Sequence, residues 1–464
     1  MKKTLFLKVT LCLYGFFFLA CDKTEFLNQK PDKALLIPNT LAHFQALLDA
    51  DDVLNGASQP GNTPQLGESG SDNFYLLEDE FYTNLRPQMQ NYYFWSESPY
   101  AGISVSDYNY PYEAILYANT VLEGMEKLER NSQNREQYDY IAGQALFHRA
   151  HMFYQLAQVF APPYNPDTEN NEPGIFLRKS ADINEKLARA TVAETYRQII
   201  EDLVQSVPRL NTEPPYKTRP SRQASYALLA RTYLAMREYE TAKRYADSCL
   251  DIQSTLFDFN EVNINNTSPF QGTGFSHAIN QEIIFFTAML SATSQNFPTT
   301  FSYSLVDSAL YRSYHENDLR KSVFFTPRAS GQRFRGSYSF RGRTHYFSGL
   351  AVDEVLLTRA ECQARLGNVD QALADLNRLL LARWDNRVSF VPLEGLNGQE
   401  TLSIILEERR KELLYRGLRW TDLRRLNQEG YGITLTRKLN GQVYTLPPND
   451  PRWTWPLPPE VLHR

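Results

Sequence analysis

Apolar residues return every three or four positions over 39–50, 111–128, 138–160, 191–207, 221–251, 353–366, 369–384 and 401–426. That period places them on one face of a helix, so each stretch predicts a helix. Asn39 is the expected cap of the first. Gly, Ser, Pro and Asn dominate 55–73, and 161–174 reads as a Pro/Asn loop. From 259 to 350 the helical period fails, and short apolar runs such as Ile283-Ile284-Phe285-Phe286 predict strands or extended segments. The pattern therefore predicts a mainly α fold. A helical scaffold covers 111–251 and 353–426. A loop-rich lobe with few short strands covers 51–110 and 259–350. The tail from 444 is Pro-rich.

Within the scaffold, Tyr226, Leu229, Ala230, Tyr233, Ala242, Ala246 and Cys249 fall at the offsets of a tetratricopeptide helix pair. Small residues at fixed positions let the two helices approach, and large ones fill the remaining space. Leu356, Ala360, Gly367, Ala372, Leu376 and Leu379 repeat the scheme, and Leu146, Ala150 and Phe153 match its first helix. Large insertions separate these units, so they are not tandem.

The stretch 401–426 is unusual. Leu402, Leu406, Arg409, Leu413, Arg416 and Trp420 share one helical face, which sets two arginines on an apolar stripe. Glu412 follows Arg409 by three residues and precedes Arg416 by four, so one carboxylate is placed to bridge both. Arg409, Glu412 and Arg416 are expected to form a buried structural ion network. Gly417 is expected to admit a neighbouring backbone.

Charge narrows the function classes. The formal net charge is −5, and near −8 once Lys2, Lys3 and Lys8 of the leader are removed. Such a chain lacks the basic footprint of a nucleic-acid binder. The leader has a basic start, an apolar run over 9–20 too short to span a membrane, and the ending Phe18-Leu19-Ala20-Cys21. Ala before Cys resembles a bacterial lipobox, with Phe18 where Leu is usual. Residues 1–20 are expected to be removed and Cys21 to carry the lipid, leaving 21–464 as a single domain held at the membrane. Cys249 and Cys362 lie in helical patterns as small buried hydrophobes.

No catalytic constellation emerges, and neither a cofactor nor a metal is expected. His148 and His151 are spaced i, i+3 without a third zinc ligand. Gly272-Thr273-Gly274 is too sparse for a phosphate loop. Aromatic side chains are the better candidates. Thirteen lie between Asp72 and Tyr117, four of them consecutive at 92–95. One helical stripe cannot bury four in a row, and sugar C–H faces or peptide side chains pack on such surfaces. Tyr75, Tyr93, Trp95 and Tyr100 are the expected ligand residues, joined by Tyr338 from a run that interleaves Arg328, Arg333, Arg335, Arg341 and Arg343 with aromatics. That run suits an anionic ligand, a partner surface or a solvated hairpin.

Taken in order along the chain, several motifs resemble the SusD/RagB family of Bacteroidetes surface lipoproteins. They are Cys21 followed by Phe26-Leu27 and Pro31, Ala145-Leu146-Phe147-His148-Arg149-Ala150, Leu229-Ala230-Arg231-Thr232-Tyr233-Leu234 and Leu357-Thr358-Arg359-Ala360-Glu361. The charged segment from Glu408 to Arg424 and Pro456-Leu457-Pro458 complete the series. The resemblance covers most of the mature chain, although the longer tail of many members is missing. It implies a non-enzymatic outer-membrane lipoprotein, exposed at the cell surface. It also implies a partner, a SusC-like TonB-dependent barrel, to which oligosaccharides are delivered. A peptide ligand, or a structural or adhesin role without uptake, remains the alternative.

Overall fold

The structure is a computed structural model describing residues 38–56, 61–264, 280–290, 303–336, 338 and 346–462. The leader and Cys21 lie outside the described residues, as do Gly272–Gly274, Arg341 and Arg343. Ten longer helices carry the fold. They are α1 (Leu41–Leu48), α2 (Ser106–Met125), α3 (Arg135–Phe160), α4 (Val192–Ser206), α5 (Arg222–Ala235), α6 (Tyr239–Ile252), α7 (Val352–Arg365), α8 (Val369–Arg383), α9 (Gly398–Glu412) and α10 (Arg419–Gln428). Their starts have local causes. Thr191 with Glu194 and Asn397 with Glu400 form capping boxes before α4 and α9, and Ser221 caps α5. Thr40, not Asn39, caps α1, because its hydroxyl accepts from the His43 amide at 3.2 Å. Short helices at Leu66–Gly70, Glu78–Asn84 and Pro87–Tyr93 make the early lobe more helical than its composition suggests, and α2 begins within the stretch read as loop.

The scaffold is a tetratricopeptide-like array. α5 packs on α6, α7 on α8, and α6 on α7, so the two pairs stack; α2, α3 and α4 extend the series. Ala230, Ala242, Ala246, Ala360 and Ala372 are buried where helices meet, so the small side chains set the approach. Both pairs turn through one residue of positive φ. It is Gly367 (φ 82°) after α7 and Arg237 (φ 65°) after α5.

Eight short strands form four two-stranded antiparallel sheets among the described residues: β1 (Phe74–Tyr75) with β3 (Leu305–Val306), β2 (Ile283–Phe285) with β6 (Leu350–Ala351), β4 (Phe325–Arg328) with β5 (Gly331–Phe334), and β7 (Leu435–Leu439) with β8 (Gln442–Leu446). A hydrophobic core runs through the helices, and a second, aromatic-rich one lies under the lobe. The second joins Phe74, Phe81, Tyr93, Phe325, Phe334 and Tyr415. No helix among the described residues is long and apolar enough to cross a membrane.

The predicted helix over 401–426 is two. α9 stops at Glu412, Tyr415 (φ 56°) and Gly417 (φ 74°) adopt left-handed conformations, and α10 starts at Arg419. Gly417 therefore serves a backbone turn and faces the Met289 side chain, not another backbone. Its N–H donates to the buried Glu68 carboxylate at 3.2 Å.

Candidate functional site

Four of the five expected ligand aromatics are core residues: Tyr93, Trp95, Tyr100 and Tyr338 are at most 4% exposed. Their partners are the chain's own cations and carbonyls. Strand β7 alternates buried and exposed positions, and its inward set is Leu435, Arg437 and Leu439. The Arg437 guanidinium lies 4.4 Å from the Tyr93 ring centroid, 4.6 Å from that of Phe74 and 5.4 Å from that of Trp95. It donates to the Phe74 and Ser71 carbonyls, and burial pulls its pKa below the ordinary guanidinium value. The rings form a cage around an internal cation, an arrangement worth about 2 kcal/mol or more when desolvated. Trp95 Nε1 donates to the Gly70 carbonyl at 2.9 Å, which fixes the indole. The Tyr100 hydroxyl donates to the Pro456 carbonyl and so ties down the tail. Tyr338 lies 5.1 Å from the Arg416 guanidinium and donates to Asp353 at 3.2 Å. Tyr75 alone of the five keeps partial exposure; its hydroxyl donates to the Ser330 carbonyl at 3.1 Å, on the turn between β4 and β5. In the arginine run, Arg328 is exposed on β4 and Arg335 donates to the Ile264 carbonyl.

Arg409, Glu412 and Arg416 are buried and ion-paired, but not with one another. Glu412 accepts from Arg320 Nη1 at 3.0 Å and from Arg383 Nε at 2.9 Å. Arg320 also pairs with Asp318 and Glu408, and Arg383 with Glu282. Arg409 pairs with Asp422 at 2.9 Å, and Arg416 with Asp353 at 2.9 Å. The break after α9 takes Arg416 off the helical face that spacing alone assigned to it. The Glu282, Asp353 and Glu412 carboxylates approach within 4.8 Å of one another, a spacing that could hold a metal ion. Arg383, Arg416 and Arg320 supply positive charge to all three, so arginines fill the role a cation would have. His148 and His151 are fully buried against Phe147 and Phe285, and burial depresses both imidazoles, His148 to about 3. They are neutral core residues.

A cleft of about 690 Å³ opens between α2 and the segment 176–187. Tyr108, Tyr112 and Phe176 line it with ring surface, and Asn109, Arg178 and Lys186 bring polar groups. One face of α2 holds the facing segment in place. Tyr112 donates to the Phe176 carbonyl at 2.8 Å, Asn119 to the Arg178 and Ser180 carbonyls at 2.9 and 3.1 Å, and Glu123 accepts from the Ala181 amide at 2.7 Å. These residues recur at steps of seven and four, so they lie along one stripe. Behind them, Arg149 donates to the Asn119 side-chain oxygen at 3.0 Å and pairs with Asp202 through two bonds of 2.8 Å. Asn119 therefore has its orientation fixed from both sides. Aromatic surface beside planar polar groups can hold a ligand by stacking and hydrogen bonding. Tyr108 and Tyr112 belong to the aromatic-rich stretch, but their i, i+4 spacing within a helix reads as core. Asn119 carried no sequence signal.

Residues 25–234 match the SusD-like family described as Starch-binding associating with outer membrane, and residues 350–458 match the SusD family. The chain belongs to the SusD/RagB family. The first SusD match contains α2 and all of the cleft's lining but Val461; the second contains α7 to α10, Glu412 and the caged Arg437. The SusD-like protein P2 of Formosa agariphila is 23% identical over 337 residues, 62% of this chain; the chain spans 65% of that curated relative's length. Among solved structures, a SusD superfamily protein from Bacteroides fragilis is 20% identical with a TM-score of 0.71, covering 92% of this chain and 98% of that one. A SusD-like carbohydrate binding protein from Bacteroides vulgatus is 19% identical with a TM-score of 0.67, covering 92% and 96%. These similarities extend the SusD fold across both lobes.

Proposed function

We propose that this SusD/RagB protein is a lipid-anchored, non-enzymatic glycan receptor of the outer-membrane surface that passes oligosaccharides to a SusC-like TonB-dependent barrel. The observation that carries the ligand part is the α2 cleft. Its size lies in the usual range for small-molecule sites, and its ring-bearing wall and polar groups match the two surfaces of a sugar. The facing segment is already fastened to α2, so binding orders little further. The family description and the carbohydrate-binding relative support the same ligand class. The anchor rests on Cys21, and the barrel partner on family membership.

Isothermal titration of the purified protein with maltohexaose, laminarihexaose, cellohexaose and mannohexaose tests the ligand class. At least one sugar is expected to release heat, and Tyr112→Ala to weaken that binding. Heat from peptides but none from any sugar would replace the glycan reading. Detergent extraction of native membranes with an affinity-tagged chain is expected to bring down a barrel; a pull-down without one would sink the delivery role.

A further inference from the structure

Beyond the C-terminal end of α8 lies a second cleft, of about 500 Å³, that shares no lining residue with the first. Trp384, the residue after the helix, forms a wall of it with Phe390, their ring centroids 5.7 Å apart at 68°. The indole is held on several sides. Nε1 donates to the Val388 carbonyl at 3.1 Å, and His315 packs on the ring at 4.8 Å. The Trp384 carbonyl accepts from Asn260 Nδ2 at 2.9 Å, and Asn260 Oδ1 accepts from the Asn386 amide at 3.0 Å. The preceding residue, Arg383, is locked into the Glu282 and Glu412 pairs. The ring is thus oriented before any ligand arrives. Leu256 and Leu381 add apolar surface, and Asp258 and Arg378 bring both signs of charge.

We propose that this cleft is a second glycan subsite, taking a neutral oligosaccharide whose ring C–H face packs on Trp384 while its hydroxyls pair with Asp258 and Arg378. The lining selects that chemistry. Asp258 Oδ1 already accepts from Asn260, and Arg378 Nη2 donates to Ser254, so both groups are held in place while each keeps further hydrogen-bonding capacity for a ligand. An anion would gain from Arg378 but meet Asp258, whereas a hydroxyl can donate to the carboxylate and accept from the guanidinium. The subsite rests on the proposed glycan binding for its ligand class alone; its position is independent of the α2 cleft.

The tryptophans supply a selective test. Trp95, Trp420, Trp453 and Trp455 are buried, and Trp384 is the partly exposed one of the five in the chain. Acrylamide quenching of tryptophan emission therefore reports on Trp384. The four hexasaccharides are titrated in parallel by calorimetry and by quenching. At least one sugar that releases heat is expected to shield the emission from acrylamide. Trp384→Ala removes the reporter, so this variant is read by calorimetry, where it should weaken one binding event at least roughly tenfold, equivalent to about 1.4 kcal/mol. Tyr112→Ala should leave the shielding intact. The quenching comparison uses the unmodified protein, so it stands even where a variant fails to fold. Sugars that release heat without shielding Trp384 would overturn the subsite and leave the proposed function standing; no heat from any sugar would overturn both.

Discussion

Replacing Glu412 by Ala tests which arginines the buried carboxylate serves. Its side chain is fully buried and accepts from Arg320 and Arg383, themselves 0% and 1% exposed. Removing one member of a buried ion pair costs about 3–5 kcal/mol. Arg320 keeps Asp318 and Glu408, and Arg383 keeps Glu282, so the expected loss is at the lower end, about 3 kcal/mol. Glu407 on the same helix gives the comparison. It is 53% exposed and pairs with Lys411, so Glu407→Ala should cost under about 0.5 kcal/mol. Denaturant unfolding is the better assay. At about 2.1 cal/mol/K per residue, the unfolding entropy of so long a chain is roughly 1 kcal/mol/K, and 3 kcal/mol moves Tm by only about 3 °C. Double-mutant cycles then separate the partners. Coupling of Glu412 to Arg320 should exceed about 1 kcal/mol, and coupling to Arg409 should lie near zero. Equal losses from Glu407→Ala and Glu412→Ala, or strong coupling to Arg409, would refute this reasoning.

Arg437→Met keeps the volume but leaves the Phe74 and Ser71 carbonyls without their donor and empties the aromatic cage of charge. The expected cost is about 2–4 kcal/mol, with altered near-UV dichroism from Trp95, and an unchanged spectrum and melt would count against the cage. A Cβ added at Gly70 would lie 2.7 Å from the Trp420 ring, so Gly70→Ala should destabilise by about 1–3 kcal/mol, measured by denaturant melts. Burial opposes ionisation of Glu361, but Arg425 and Arg365 hold its carboxyl down at about 2, against an ordinary 4.5. A depressed folded pKa gives stability that is complete above about 4.5 and lost as pH falls toward 2, on the order of 3 kcal/mol. Glu361→Gln should flatten the stability profile over that window, and a profile parallel to the parent's would reject the assignment.

The helical scaffold was legible because its signals are local. Ala230, Ala242, Ala360 and Ala372 sit at fixed offsets within each pair, and burial follows directly from the period. The break after α9 was hidden, since Tyr415 takes a positive φ that its residue type does not advertise. The partners of Glu412 were illegible for another reason: Arg320 lies 92 positions away and Arg383 lies 29 away, while spacing exposes only neighbours within a helix. In the aromatic stretch, Tyr93, Trp95 and Tyr100 are buried, a placement that their spacing did not reveal. Aromatic faces bind cations and C–H surfaces alike, and composition does not say whether the cation comes from the same chain. Arg437 did leave a trace, as the one charged residue in register with Leu435 and Leu439 on a strand. The cleft depends on Asn119 reaching a segment about sixty residues away, and Trp384, next to a helix end, looked like one more apolar residue.

Arg437 reaches the Ser71 carbonyl across 366 positions of sequence, Tyr100 meets Pro456 across 356, and Arg419 grips Asp72 across 347. The early lobe is thus sealed by residues that follow it by some 350 positions and are synthesised long after it. Until they arrive, Phe74, Tyr93 and Trp95 have no cation to enclose and Tyr100 has no acceptor in the tail. Closure of such long loops is slow, and the waiting intermediate exposes aromatic surface. Loss of residues 435–464 should therefore leave a chain that aggregates, even though its helix pairs are intact.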